Sequence, residues 1–283
     1  MLLRWQTSPH TENSAFSFNI PTATFADIDG DSLSYTTIVV DDAGNAQATP
    51  SWLTISNGSL SLAGTPLAGD VGSLNLKVTA TDPSNVTVSN TFKLSVNPLN
   101  LTGNLTTTNR LTGTASNNIL TGGNLVDILS GGDGNDMLFG LGGADKLNGD
   151  AGNDLLFGGG GKDVLIGGTG LDTFGFGDNQ TATLTSLGVD TIADFTPTDD
   201  KIQLNKFTFS IFNTAGELTS DKFSIVTTDA AAATASGAIV YNSANGNLFY
   251  NTDLGLAGFG TNGGQFAKLT AGLAVDNTMF NIV

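Results

Sequence analysis

Six aspartates recur along the middle of the chain at a fixed interval: Asp127, Asp136, Asp145, Asp154, Asp163 and Asp172, each nine places from the next. An asparagine, Asn118, holds the same place one step earlier. A carboxylate is a hard oxygen donor. Set among glycines, whose carbonyls are unobstructed, it suits a cation that gathers many oxygens. Calcium accepts about six to eight oxygen ligands in flexible geometry, while magnesium demands stricter geometry and gives up water reluctantly. Carboxylates in a row repel one another unless a cation lies between them, so the pattern predicts calcium as the counter-charge.

The elements that must hold these groups follow from the same interval. Cut from Gly113, the chain falls into seven blocks of nine, with the acids sixth in each block. The eighth places read Leu120, Leu129, Leu138, Leu147, Leu156, Leu165 and Phe174, and a weaker block with Asn109 and Leu111 precedes them. Glycines at the first, second and often fourth places allow a tight turn. The last three places predict a short strand with its middle residue inward. Two blocks then make one coil with a strand on each side, and coils stack at about 4.8 Å, the spacing of strands in a sheet. Residues two blocks apart share an edge, so Asp136, Asp154 and Asp172 line one edge and Asp127, Asp145 and Asp163 the other.

This G-G-x-G-x-D-x-U-x pattern resembles the RTX, or hemolysin-type, calcium-binding repeat. The resemblance covers residues 104–178 and implies a ligand rule. Each ion takes carbonyls from places 2 and 4 plus the acid of one turn, then carbonyls from places 1 and 3 plus the acid of the turn two blocks on. The first implied site is Gly123, Leu125 and Asp127 with Gly140, Gly142 and Asp145. The second is Gly132, Gly134 and Asp136 with Gly149, Ala151 and Asp154. The third is Leu141, Gly143 and Asp145 with Gly158, Gly160 and Asp163. The fourth is Asp150, Gly152 and Asp154 with Gly167, Thr169 and Asp172. Leu125, Leu141 and Asp150 stand where the family has glycine, but only their carbonyls are needed. A fifth ion, between the turns of Asn118 and Asp136, would have one neutral ligand and bind more weakly.

One leucine per turn is a thin interior that offsets little chain entropy. Folding and metal binding are therefore expected to be one equilibrium. The repeat should stay unfolded at low cytosolic calcium and fold in the higher calcium outside. The RTX resemblance further implies export by a type I system that reads an uncleaved C-terminal signal, and the ending Asp276-Asn277-Thr278-Met279-Phe280-Asn281-Ile282-Val283 looks like such a tail.

Residues 1–98 read as short alternating strands, among them Phe16–Ile20, Leu74–Val78 and Phe92–Val96, separated by turns such as Asp29-Gly30-Asp31 and Asn57-Gly58. That spacing predicts a β-sandwich with Trp52 and Leu53 in its core. Phe16-Ser17-Phe18, Asp27-Ile28-Asp29-Gly30-Asp31, Pro50-Ser51-Trp52-Leu53, Gly64-Thr65-Pro66 and Val78-Thr79-Ala80-Thr81-Asp82 resemble the cadherin-like domains of dystroglycan type. The resemblance implies an immunoglobulin-like sandwich of extracellular, often adhesive, proteins. Glu12, Asp27, Asp29 and Asp82 match acids with which cadherin-type domains hold calcium; a metal-free Asp-Gly turn is the alternative.

Residues 179–283 carry no repeat. Val189–Phe195 and Asp200–Leu204 read as strands, and Ser243-Ala244-Asn245-Gly246 as the turn of a hairpin. Asp190-x-Ile192-x-Asp194-Phe195 resembles the segment that follows RTX repeats. A β-rich cap over the last coil is expected, since a bare end exposes unpaired backbone. Asp190 and Asp194, with Asp199 and Asp200, are read either as ligands of a further ion or as solvated loop acids.

Composition narrows the function classes. The 283 residues carry a net charge of -16, with 26 acidic and 10 basic side chains and only two glutamates, Glu12 and Glu217. Such charge repels phosphate backbones and speaks against nucleic acid. There is no cysteine, so disulfides and thiolate zinc sites are excluded. No apolar run is long enough to span a membrane, and the opening residues lack the apolar core of a signal peptide, so a fragment or another export signal is expected. His10 is the one histidine, and neither H-E-x-x-H nor G-x-S-x-G occurs, so no enzyme is expected. The expectation is an all-β chain: a sandwich over residues 1–98, a parallel calcium-binding β-roll over 99–178 and a cap over 179–283. It would be secreted or at the cell surface, with a structural or adhesive role toward a cell-surface protein or glycan. The alternative is a carbohydrate-binding module, which would need Tyr241, Phe249 and Tyr250 as an exposed platform.

Overall fold

The computed structural model describes residues 9–21, 24, 25, 27, 30–177 and 184–283. Its described residues are nearly all strand and turn, and they divide into two compact units, Met1–Leu99 and Asn100–Val283.

The first unit is a two-sheet sandwich. Alternation of apolar and polar residues gives each strand one inward face. The larger sheet orders His10–Thr11, Thr87–Asn97, Gly72–Thr81, Ser34–Val40 and Ala46–Gln47, antiparallel except for its first pair. Phe16–Asn19, Ser61–Gly64 and Leu53–Ser56 form the smaller sheet. Leu62, Leu76, Val78 and Leu94 fill the space between. Leu53 belongs to this core, and Trp52 packs half-buried at its margin.

The second unit is a solenoid. Ile119–Gly123, Met137–Gly143, Leu155–Gly161 and Thr173–Phe176 stack as parallel strands on one side. Arg110–Thr112, Ile128–Asp133, Lys146–Ala151 and Val164–Thr169 stack on the other. The register is two blocks throughout, as in Leu129↔Leu147↔Leu165. Leu120, Leu129, Leu138, Leu147, Leu156, Leu165 and Phe174 are all fully buried, so the eighth place does point inward.

The ladders do not stop with the repeats. Asp190–Ile192 adds in parallel to Val164–Thr169, and Lys201–Leu204 adds to Thr173–Phe176. Gly264–Lys268 and Phe280–Ile282 add again. The expected hairpin forms between Ile239–Asn242 and Asn247–Tyr250. The leucine line runs without a break into Phe174, Phe176, Phe209, Tyr250 and Phe266. Tyr241, Phe249 and Tyr250 are buried, because alternation in that hairpin meets packing on both faces; they form no exposed platform. Among the described residues no helix is long and apolar enough to cross a membrane.

Candidate metal centre

The aspartates lie in two vertical rows, each inside a turn. All six are at most 2% exposed, a degree of burial that an ionised carboxylate tolerates only with partners. One oxygen of each has a partner. The N–H of Asp127 donates to Asp145 Oδ1 at 2.7 Å, that of Asp136 to Asp154 Oδ1 at 2.7 Å, and that of Asp145 to Asp163 Oδ1 at 2.7 Å. The Asp154 N–H donates to Asp172 Oδ1 at 2.9 Å. At the lower end Asn109 and Asn118 donate likewise to Asp127 and Asp136.

The second oxygen separates the turns. Oδ2 of Asp136, Asp145, Asp154 and Asp163 is buried and has no hydrogen-bond partner. At Asp127 the same atom accepts the Gly123 N–H at 2.5 Å, and at Asn118 the side-chain oxygen accepts the Thr114 N–H at 2.6 Å. Those two turns are closed upon themselves.

Backbone geometry explains the difference at Asp127. The fourth place is Gly134, Gly143, Gly152, Gly161 and Gly170 in the five later turns, each with φ between 101° and 136°. In the Asp127 turn Leu125 holds that place and keeps an ordinary φ, as a Cβ favours, and Gly123 at the second place keeps one too, unlike Gly132, Leu141, Asp150, Gly159 and Gly168. Its turn follows another path, and the Gly123 amide swings onto the carboxylate. The first implied site thus begins in a turn of another conformation than the other three, with Leu125 where they have glycine. Leu141 and Asp150, at the second place, do adopt the left-handed conformation, with φ of 73° and 74°.

Residues of the implied sets lie on strands that pair one coil apart. Gly123 pairs with Leu141, Gly132 with Asp150, Gly142 with Gly160, Gly143 with Gly161, and Ala151 with Thr169. A methyl group placed on Gly122 would lie 2.6 Å from Asp127 Oδ2 and 2.7 Å from the Gly140 carbonyl oxygen. The same cradle, an Asp Oδ2 facing the first-place carbonyl one coil on, recurs with Asp136 and Gly149, Asp145 and Gly158, and Asp154 and Gly167. Gly152 N–H donates to the Thr169 carbonyl at 2.9 Å, so that oxygen is shared with the backbone. Among the described residues no three acids or histidines converge on one point. Two carboxylates of one row with the carbonyls beside them would make an all-oxygen donor set, which fits calcium.

Burial pushes these carboxyls up. Asp136 rises to about 6 and Asp145 and Asp154 to about 7, with neighbouring aspartates adding to the effect. Asp163 and Asp172 are raised for the same first reason. A divalent cation would reverse the balance by supplying the missing opposite charge.

Past the repeats the rows continue with a broken interval. Asp163 N–H donates to Asp190 Oδ1 at 3.0 Å, and Asp172 N–H to Asp200 Oδ1 at 3.1 Å, over 27 and 28 residues. Asp190 is buried and rises to about 8, chiefly by desolvation. Asp200 also accepts the Thr196 N–H at 2.7 Å, which closes its turn. Asp194 departs from a ligand's part: its two oxygens accept Gly167 N–H at 3.0 Å and Gly168 N–H at 2.9 Å, capping the last turn.

One row carries a feature absent from the sequence expectations. Asn117 Oδ1 accepts the Asn135 N–H at 2.8 Å, Asn135 Oδ1 the Asn153 N–H at 2.7 Å, and Asn153 Oδ1 the Leu171 N–H at 2.9 Å. The other row has Val126, Ala144 and Lys162 at the corresponding fifth place. The signal was present as an asparagine in every second block, which a single-block period hides.

In the first unit the acids stand apart. Glu12 is fully buried and accepts the Leu99 N–H at 2.8 Å; Asp27 accepts the Asp31 N–H at 3.2 Å, and Asp82 the Val86 N–H at 2.8 Å. Asp29 lies outside the described residues. Among the described residues these acids make no metal cluster.

Comparison with known proteins agrees with this division. Residues 5–97 match the Ig-domain family He_PIG. Residues 106–138, 121–156 and 139–174 match the RTX calcium-binding nonapeptide repeat. The chain thus carries an Ig-like domain followed by RTX calcium-binding repeats in a β-solenoid. No curated protein matches it. Solved structures that resemble it include an endo-fucoidan hydrolase of glycoside hydrolase family 107, at 21% identity and TM-score 0.26, over 32% of this chain and 12% of that one. The chain thus spans about an eighth of that protein's length. A subunit of the Azotobacter vinelandii mannuronan C5-epimerase, in solution, resembles it at 26% identity and TM-score 0.30, over 59% of this chain and 79% of that one. Superpositions this loose carry no argument about fold or activity.

Proposed function

We propose that this is a secreted protein, or part of one, in which residues 99–178 form a roll that folds on binding about four calcium ions outside the cell. The observation that carries this reading is the set of buried, unpartnered Oδ2 atoms on Asp136, Asp145, Asp154 and Asp163. Leaving one such atom bare costs about 1–3 kcal/mol, and more when charged. We place the ions between Asp136 and Asp154, Asp154 and Asp172, Asp145 and Asp163, and Asp163 and Asp190. Asp127 and Asn118, whose turns are closed, would hold an ion weakly.

Residues 179–283 act as the cap and carry the type I export signal, and residues 1–98 are the sandwich that meets a cell-surface protein or glycan. The protein works as a calcium-dependent structural or adhesive module and not as an enzyme. Calcium titration of the chelated full chain, followed by circular dichroism and by ions bound per chain, tests the core of this reading. A steep gain of β signal with about four ions bound supports it; a β signal indifferent to chelator sinks it.

A further inference from the structure

The two rows of aspartates differ in how many coil-to-coil bonds the protein itself supplies in the folded roll. On the row of Asp136, Asp154 and Asp172, every coil-to-coil step is clamped twice, in opposite directions. At the sixth place the upper aspartate accepts from the lower backbone; at the fifth, the lower asparagine accepts from the upper backbone. On the row of Asp127, Asp145 and Asp163 the aspartates make the first kind of clamp. Its fifth places, Ala144 and Lys162, cannot make the second, since alanine has no side-chain acceptor and lysine is only a donor. Charge runs the same way. Asp133 and Asp150 add negative field at Asp136, and Asp150 does so at Asp154. On the other row the like charges that act on Asp145 and Asp190 are the row's own aspartates.

A turn already held in its bound shape loses less entropy on binding. We propose that the Asn117–Asn135–Asn153 ladder makes the rows unequal, so that calcium fills the Asp136–Asp154–Asp172 row first and the Asp145–Asp163–Asp190 row second. This inference rests on the calcium reading above. The asparagines are positioning residues: their side-chain oxygens hold backbone, not metal. The ladder then sets an order of events, one edge forming a template on which the other closes.

Hydrogen exchange of the full chain at stepped calcium concentrations reads the order without any substitution. Protection is expected first in the turns 131–136 and 149–154, then in 140–145 and 158–163. Calorimetric titration should resolve two classes of about two ions each, roughly tenfold apart, or about 1.4 kcal/mol. Asn135→Ala with Asn153→Ala should weaken the first class about tenfold and leave the second, while Ala144→Asn should tighten the second. The gain-of-function variant keeps the test decisive if the alanine pair fails to fold. Simultaneous protection of both rows, or a single class unchanged by Ala144→Asn, overturns the ladder's role while leaving calcium binding intact. Absence of any calcium binding overturns the underlying reading and this inference with it.

Discussion

Asp154 stands between two neighbours on its edge: its Oδ1 accepts the Asp136 N–H, and its own N–H donates to Asp172. Asp154→Asn should therefore cost two bound ions. Asp145 has an open turn above it but the closed turn of Asp127 below, so Asp145→Asn should cost one. Ion counts per chain by mass spectrometry or equilibrium dialysis distinguish these; equal losses would contradict the closed-turn argument. The metal-free carboxyls also set a pH dependence. Asp136, Asp145, Asp154 and Asp190 titrate at about 6, 7, 7 and 8 in the folded chain, against 3.8 for an unperturbed aspartate. Between these limits the folded form binds more protons than the unfolded one, so stability falls as pH rises through about 4 to 8. In chelator, the β signal of the second unit should be stronger at pH 5 than at pH 8. In excess calcium that gain should vanish or reverse, because protons then compete with the metal. Equal signals in chelator at both pH values would refute the burial of these groups.

At the scale of the turn, replacing one residue should open a site. Leu125→Gly restores the left-handed place held by Gly134, Gly143, Gly152, Gly161 and Gly170, and should free Asp127 Oδ2 from the Gly123 amide. The expected outcome is one additional ion per chain, between Asp127 and Asp145; an unchanged count would mean that Leu125 is not what closes the turn. The repeat itself was legible in the sequence, because glycine, aspartate and leucine recur at places fixed by a turn, a ligand and a core. The effect of Leu125 was not, because a carbonyl was weighed as a ligand without the φ that aims it. Asp190 and Asp200 were ambiguous for another reason. Their intervals of 27 and 28 residues break the repeat, so only the parallel pairing of Asp190–Ile192 and Lys201–Leu204 places them in the rows.

Over the whole molecule, calcium should act on one unit and not on the other. The sandwich of residues 9–99 is held by a two-sheet apolar core around Leu62, Leu76 and Leu94, with Glu12 satisfied by backbone. The second unit holds its ligand rows and its cap on one continuous core, so loss of metal should loosen the cap along with the roll. Thermal unfolding by calorimetry should show two transitions in calcium, of which chelator lowers or abolishes one and leaves the other within a few degrees. A shift of both would mean that the sandwich also depends on the ion. The strands Phe16–Asn19, Gly72–Thr81 and Thr87–Asn97 of the sandwich were legible from alternation, whereas Leu53–Ser56, beside Trp52, was read only as core. The continuity of roll and cap was not, because a sequence interval says nothing about which strand joins an open ladder.

Like edges meet only at every second block, and this gives the chain a parity. Loss of residues 140–157 would set Asp163 above Asp127 and Asp172 above Asp136, leaving each lineage on its own side. Loss of residues 140–148 alone would set Asn153 above Val126 and Lys162 above Asn135, splicing the two lineages together. A solenoid of this kind can therefore grow or shrink smoothly in double blocks, while any single-block change scrambles the distinction between its sides.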